Sequence, residues 1–176
     1  MAKREVALLS FEFTDKDPSF TPRTPYYWMS PEELDGISKY PYILDYDCPF
    51  SLTAKIGENT YTFDGCVPKG FTYNLADIFG PLQYISYDRH SPFVKNASFI
   101  HDYMIARKAI LYDDWKMAEL GITPSEFRVI TSEVFCHVLK YNGVPHDKAH
   151  LMTFFMNGWQ ILQRSWYSLG ETETHI

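Results

Sequence analysis

His101, Asp102 and Tyr103 are consecutive residues in a segment whose pattern predicts a helix. An imidazole oriented by a carboxylate can act as a general base, so His101 and Asp102 are candidate catalytic residues. Neighbouring helical residues point about 100° apart. We therefore expect the two side chains not to face one another, and a catalytic group would need a third residue. The alternative is structural, with His101 packed near aromatic rings, and the pattern favours it.

A second candidate is the segment Val67-Pro68-Lys69-Gly70-Phe71. Pro68 and Gly70 predict a turn that connects a strand to a short helix near Asn74. Such a turn can place backbone N–H groups against a ligand, although many turns only reverse the chain. Lys69 alone does not make a phosphate-binding loop, because the sequence has no P-loop or dinucleotide-binding glycine motif.

His146 and His150 are four residues apart near the start of the last predicted helix, so they share a face. The spacing resembles half of a zinc-binding HExxH motif, but the glutamate is missing, which favours surface histidines. The three cysteines are widely spaced and have no zinc-site pattern, which is typical of reduced thiols: Cys48, Cys66 and Cys136. The sequence therefore predicts neither a metal site nor a cofactor.

The first half of the chain predicts strands and turns, because eight of the eleven prolines precede residue 82. Val6–Phe13 is a predicted strand. Ser51–Ile56 and Thr60–Phe63 alternate around Gly57-Glu58-Asn59, which predicts a hairpin. Ser30-Pro31-Glu32-Glu33 has the order of a capping box and predicts the start of a short helix.

The second half predicts three helices. The first spans Pro92–Leu111, and the second begins at the capping box of Thr123 and ends at Tyr141. The third runs from Pro145 to about Trp166. We predict an α+β fold, in which a small, mostly antiparallel N-terminal sheet packs against a C-terminal layer of about three helices. Residues 1–176 are predicted to form a single domain, with a strand- and loop-rich part (1–90), a helical part (91–167) and a tail (168–176).

The last predicted helix is apolar on most sides. One face carries Met152, Phe155, Met156, Trp159, Leu162 and Trp166, and another carries Leu151, Phe154 and Ile161. A helix of this kind is either the central core helix or is covered by a neighbouring polypeptide. The candidate interface residues are therefore Trp159, Phe155, Met156, Trp166 and Met152.

Composition narrows the classes of function. Of 176 residues, 45% are hydrophobic and 17% are aromatic. This content indicates either a core with many bulky side chains or an exposed surface that binds another protein. A net charge of −6 argues against binding to a nucleic-acid backbone. No secretory signal and no segment of about 18 apolar residues is visible, so we expect no membrane association and synthesis in the cytoplasm.

Several of these segments together resemble a family of small domains of unknown function carried by tailed bacteriophages and prophages. Its pattern combines a V-P-x-G-F turn, a T-D-L-A-S segment, a helical H-D-Y, a later A-D position, a G-V-P linker and a final G-W. The corresponding segments here are Val67-Pro68-Lys69-Gly70-Phe71, Tyr73-Asn74-Leu75-Ala76-Asp77, His101-Asp102-Tyr103, Thr131-Ser132-Glu133-Val134-Phe135, Gly143-Val144-Pro145 and Gly158-Trp159, within residues 60 to 160.

The sequence departs from this pattern at two acidic positions. Asn74 stands where the resemblance implies the acid of the D-L-A segment, and Ser132 stands at the later acid. Both residues still form hydrogen bonds, so the architecture can persist while acid–base chemistry is weakened. His101 and Asp102 are retained, and this combination favours a domain kept for its shape.

The resemblance and the aromatic content predict a structural or accessory component of a phage particle, in the neck, tail or baseplate. Its expected partners are other virion proteins and copies of itself, its expected location is the virion, and it is expected to be made in the bacterial host cytoplasm. The alternative is a small phage hydrolase of cell wall or lipid that uses His101 as general base, oriented by Asp102 or Asp77. A third possibility is a host-directed binding protein.

Overall fold

The computed structural model describes residues 4–73 and 91–162, and in these ranges the chain forms six strands and five helices. The strands are β1 (Val6–Phe13), β2 (Phe20–Pro22), β3 (Tyr42–Leu44), β4 (Cys48–Ile56), β5 (Asn59–Val67) and β6 (Thr72–Tyr73). The helices are α1 (Pro31–Lys39), α2 (Pro92–Ala106), α3 (Lys108–Asp114), α4 (Pro124–Tyr141) and α5 (His146–Leu162). The predicted α+β class is confirmed. The predicted short helix at Asn74 and the tail 168–176 lie outside the described residues.

The strands form two antiparallel sheets of three strands each, with orders β1-β4-β5 and β2-β3-β6. The predicted hairpin is the β4–β5 pair, in which Ile56 pairs with Asn59 across a two-residue turn. Gly57 occupies the first turn position with φ +63°, a conformation that glycine adopts without steric cost. The strands of the hairpin extend beyond the predicted segments to Cys48 and Val67.

A β-bulge at Leu9 determines which side chains of β1 reach the core. Leu8 pairs with Ala54 and Ser10 with Thr53, so Leu9 is the extra residue, and its side chain is exposed. In a regular strand, side chains at even and odd positions point to opposite faces. Because the bulge shifts the register by one residue, Leu8 before it and Phe11 after it both contact the hydrophobic core.

The prediction of one continuous helix over Pro92–Leu111 is wrong in one respect, because the helix is interrupted at Arg107. Arg107 has φ −108° and ψ 17°, outside the helical range, and separates α2 from α3. After the break, Leu111 and Tyr112 are buried, and the Tyr112 hydroxyl donates to the Ile122 carbonyl. Helical periodicity does not reveal the break, since both sides of Arg107 carry residues compatible with a helix.

Helix α4 is the central helix of the fold, and it begins and ends as predicted. Its N-terminus carries the capping box of Thr123 and Glu126. It packs against β1, α2 and α5. The suggestion that the last helix is the central core helix is therefore wrong, because α5 packs against α4 and leaves Phe154 70% exposed.

An ion pair connects the start of the chain to the N-terminus of α4. The Arg4 guanidinium donates to both carboxylate oxygens of Glu126, at 2.9 and 2.8 Å, and also to the Gly121 carbonyl. The hydrogen bond from Arg4 holds the pKa of Glu126 below its ordinary value. The same carboxylate accepts from Thr123, so one side chain both caps α4 and fixes the residues before β1.

Much of the aromatic content lies in the core. A hydrophobic cluster joins the strands and the helices, and among the residues that the structure describes nine of its buried members are aromatic: Phe11, Phe50, Phe63, Tyr73, Phe99, Tyr103, Tyr112, Phe127 and Phe135. This supports the bulky-core interpretation of the composition for these rings. Other rings are exposed and are described with the candidate sites below.

Gly65 allows the close contact between β4 and β5 beneath the Phe50 ring. Phe50 pairs with Gly65 in the hairpin, and a Cβ at Gly65 would lie 2.4 Å from Cζ of that ring. Since Phe50 is fully buried, we expect Gly65→Ala to lower the free energy of unfolding by about 1–3 kcal/mol through overpacking. Urea denaturation followed by circular dichroism measures this.

The matched control is Gly36→Ala in α1, where no atom lies within 4 Å of the added Cβ. Alanine has the higher helix propensity, so this variant should be more stable by roughly 0.5–1 kcal/mol. Equal urea midpoints for Gly65→Ala and the wild type would contradict the packing of Phe50 across Gly65.

Candidate functional site

His101 and Asp102 lie on α2, and the structure corrects the expectation that their side chains point away from each other. The distance from His101 Nδ1 to Asp102 Oδ1 is 3.7 Å. This is within the range of an ion pair but is longer than a hydrogen bond. The two residues that the sequence singled out therefore lie close together, with these two atoms beyond hydrogen-bond distance.

The His101 imidazole is buried between two helices. Only 6% of the residue is exposed, and its ring centroid lies 5.4 Å from that of Phe135 on α4. The Asp102 carboxylate is more accessible, with 23% of its side chain exposed. The buried imidazole of His101 therefore lies next to the partly exposed carboxylate of Asp102, and its ring packs against Phe135 of α4.

Tyr73, at the end of β6, is a site residue that the sequence analysis missed. Its hydroxyl is buried and has no hydrogen-bond partner among the described residues. Burial raises the pKa of Tyr73 above its ordinary value, and the nearby negative charge of Asp102 raises this pKa further. A buried polar group without a partner is uncommon in proteins and requires an explanation. The resemblance includes Tyr73 only as the first residue of the segment Tyr73-Asn74-Leu75-Ala76-Asp77 and gives it no role, because it is the approach of β6 to α2 that brings it near Asp102.

An aromatic cluster surrounds the Tyr73 ring. Its centroid lies 5.1 Å from that of Phe20, 5.9 Å from that of Tyr42 and 5.5 Å from that of Phe99. The Lys95 ammonium lies 4.0 Å from the Tyr42 ring centroid and forms a cation–π contact. These contacts fix β6 against α2 and hold the Tyr73 hydroxyl in an apolar environment.

The predicted turn at Pro68 and Gly70 forms between β5 and β6, with Gly70 at φ +87°. The three consecutive backbone N–H groups all donate within the chain: Lys69 to the Asp47 carboxylate at 2.7 Å, Gly70 to the Leu44 carbonyl at 3.0 Å, and Phe71 to the Pro68 carbonyl at 3.2 Å. The turn therefore holds β6 beside β3, and its N–H groups are already used in doing so.

Ser132 connects α4 to α5. Its hydroxyl donates to Asn157 Oδ1 at 2.6 Å, and the same oxygen accepts from Arg128 at 2.8 Å. Ser132 is buried, so this hydrogen bond fixes the position of α5 on α4. Asn74, at the other position where the resemblance implies an acid, lies outside the described residues, as does Asp77.

His146 and His150 lie together on the first turns of α5. Their Nε2 atoms are 3.1 Å apart, and His150 Nδ1 lies 3.8 Å from Cys136 Sγ on α4. Burial raises the pKa of the Cys136 thiol, and all three cysteines are free, as the sequence predicted. Within residues 4–73 and 91–162, no group of three or more His, Cys, Asp or Glu side chains is arranged to hold a metal ion.

The predicted interface residues of α5 divide between the core and the surface. Met152 and Met156 are half-buried and pack on the core, whereas Phe155 is 40% exposed. Leu151 and Phe154 are exposed beside Phe155, and these three residues form the α5 ridge. The Trp159 side chain and Trp166 lie outside the described residues.

A second exposed aromatic group, the Tyr26–Trp28 loop, precedes α1. The Tyr26 and Trp28 rings stack with centroids 4.6 Å apart, and the Tyr27 ring packs edge-on against Trp28. Tyr27 is 96% exposed. These residues are not among the predicted interface residues, although three consecutive aromatic residues in a proline-rich segment are a visible signal in the sequence.

Comparison with known proteins gives no further assignment: no family model, no curated protein and no solved structure matches the chain. No helix among the described residues is long and apolar enough to cross a membrane.

The unpartnered hydroxyl of Tyr73 leads to a stability prediction. Tyr73→Phe removes a group that lost its hydration on folding without gaining a partner, so we expect a neutral or stabilising effect of up to about 1–3 kcal/mol. Tyr103→Phe is the matched control, because the Tyr103 hydroxyl donates to the Cys66 carbonyl at 2.9 Å. Its loss should cost about 1 kcal/mol. Urea denaturation of both variants tests the assignment, and destabilisation by Tyr73→Phe would show that its hydroxyl is satisfied in solution.

Proposed function

We propose that this chain is a non-enzymatic packing component of a tailed-bacteriophage particle, located in the neck, tail or baseplate. The observation that carries the proposal is the α5 ridge, in which Leu151, Phe154 and Phe155 are exposed side by side. The placement in a phage particle rests on the resemblance of residues 60 to 160 to the phage domain family. The proposed occupants of the ridge are other virion proteins and copies of this chain.

The exposed rings support a packing role on energetic grounds. Burying a Phe or Leu side chain that is otherwise in water contributes roughly 1.5–3 kcal/mol. Aromatic residues and Met are enriched in protein interfaces, and contiguous exposed apolar surface often marks an interaction site. The ridge lies on a helix that is anchored through Ser132 and Asn157, so its rings are presented on a fixed backbone.

The burial of His101 also supports a role without catalysis. A general base must reach the proton that it removes from a substrate, directly or through one water. The His101 imidazole is covered by Phe135 and is almost fully buried, and Ser132 serves as a hydrogen-bonding link between helices. In this proposal both residues stabilise the surface that the partner contacts.

Size-exclusion chromatography with light scattering tests the packing role. We expect the wild type to associate with itself or with a co-expressed virion protein. The double variant Leu151→Ser/Phe154→Ser should associate at least about tenfold more weakly. A tenfold change in the dissociation constant corresponds to about 1.4 kcal/mol of binding free energy, which is less than the burial of one such side chain contributes. Tyr141→Ser is the matched control, because Tyr141 is an exposed aromatic residue at the end of α4 and is not part of the ridge. Mass spectrometry of purified particles should detect the chain. A monomer at high concentration that is absent from particles would contradict the proposal.

A hydrolase acting on cell wall or lipid is the second candidate, and the unpartnered Tyr73 hydroxyl near Asp102 favours it. Buried polar groups without partners and groups with perturbed pKa values are found at functional sites. In this candidate His101 is the general base, Asp102 orients it, and Tyr73 faces the reacting group.

His101→Gln and Asp102→Asn test the hydrolase. If the chain hydrolyses peptidoglycan or phospholipid vesicles, each variant should lower kcat by about 100-fold or more, because a general base contributes on that scale. Circular dichroism confirms that the variants are folded, and the partly exposed Asp102 gives a variant that is less disruptive to the core. Absence of turnover by the wild type, with and without added divalent metal, would exclude these substrates.

A further inference from the structure

We propose that His146 and His150 form a two-imidazole chelate for a divalent transition-metal ion on the first turns of α5. The observation is the convergence of their Nε2 atoms to 3.1 Å. The sequence gives only the four-residue spacing, which many surface histidines share. The structure adds that the same nitrogen of each ring, Nε2, lies next to that of the other.

The separation of the two nitrogens fits simultaneous ligation. Imidazole nitrogens bind Zn²⁺ at about 2.0–2.1 Å, so two such ligands at an angle between 90° and 110° lie roughly 2.8–3.4 Å apart. The observed 3.1 Å is within this interval. Both histidines are exposed, so an ion that keeps several water ligands can reach the site. A metal ion at this point would replace the proton that the two nitrogens otherwise share.

The position of His150 is supported from α4. Its Nδ1 atom lies 3.8 Å from the Cys136 sulfur, so the ring is held at both nitrogens. A metal-bound histidine usually directs its other nitrogen to a hydrogen-bonding group, which fixes the ring and the tautomer. Cys136 takes this positioning role.

The donor set indicates the class of ion. Two imidazoles and water suit Cu²⁺, Ni²⁺ and Zn²⁺, with Cu²⁺ bound most tightly, and they do not suit Ca²⁺ or Mg²⁺, which prefer oxygen ligands. Because two protein ligands leave several coordination positions open, we expect micromolar affinity rather than the tight binding of a closed structural site. This inference does not depend on the proposed packing function, since it uses only the two rings and Cys136.

Isothermal titration of the full chain with Cu²⁺, Ni²⁺ and Zn²⁺, in a buffer that does not bind metals, tests the chelate. We expect one ion per chain, with an affinity that falls by about tenfold or more in His146→Ala and in His150→Ala, and no corresponding site for Mg²⁺. Electron paramagnetic resonance of the Cu²⁺ complex should show two equivalent imidazole nitrogens, and one in each single variant.

His137→Ala is the matched control, because His137 is half-buried on α4 and has no part in the pair. It should bind the ion like the wild type. The double variant His146→Ala/His150→Ala should no longer bind the ion. This loss would show that the ion is not bound by His90 and His175, which lie outside the described residues. Equal affinities for the wild type and the double variant, or no binding by the wild type in the micromolar range, would overturn the proposal.

Discussion

The burial of α4 on three sides is the constraint on which the other elements depend. Specific contacts hold this helix in place: the Phe127 ring packs against Trp115, the Phe135 ring packs against His101, and Ser132 donates to Asn157. At its N-terminus Glu126 binds Arg4. A helix with this many buried side chains is stable only when sheet and helices cover it together, so its position fixes the positions of β1, α2 and α5.

This arrangement separates the two kinds of candidate site. Many side chains that pack against α4 are buried, and His101 is one of them. Exposed apolar side chains include those of the α5 ridge and of the Tyr26–Trp28 loop. His101 is therefore buried and Asp102 is partly exposed, whereas the side chains of the α5 ridge are exposed.

Local motifs predicted the elements that depend on neighbouring residues alone. The capping boxes of Ser30 and Thr123 gave the starts of α1 and α4, because a cap is formed within a few residues. The hairpin followed from Gly57 and the flanking alternation for the same reason. The break at Arg107 and the bulge at Leu9 were not predictable, since each exists to direct side chains toward elements that are distant in the sequence.

The amino-acid sequence by itself determined the α+β class, the helix caps, the free thiols and the four-residue spacing of His146 and His150, since all of these follow from composition or from contacts within a few residues. Tertiary structure decided that Tyr73 lies near Asp102, that Ser132 bonds to Asn157, and that α4 rather than α5 occupies the centre. These outcomes depend on which surfaces cover one another. The packing of these surfaces is driven by the burial of apolar area contributed by segments that are far apart in the sequence, so no short segment predicts it.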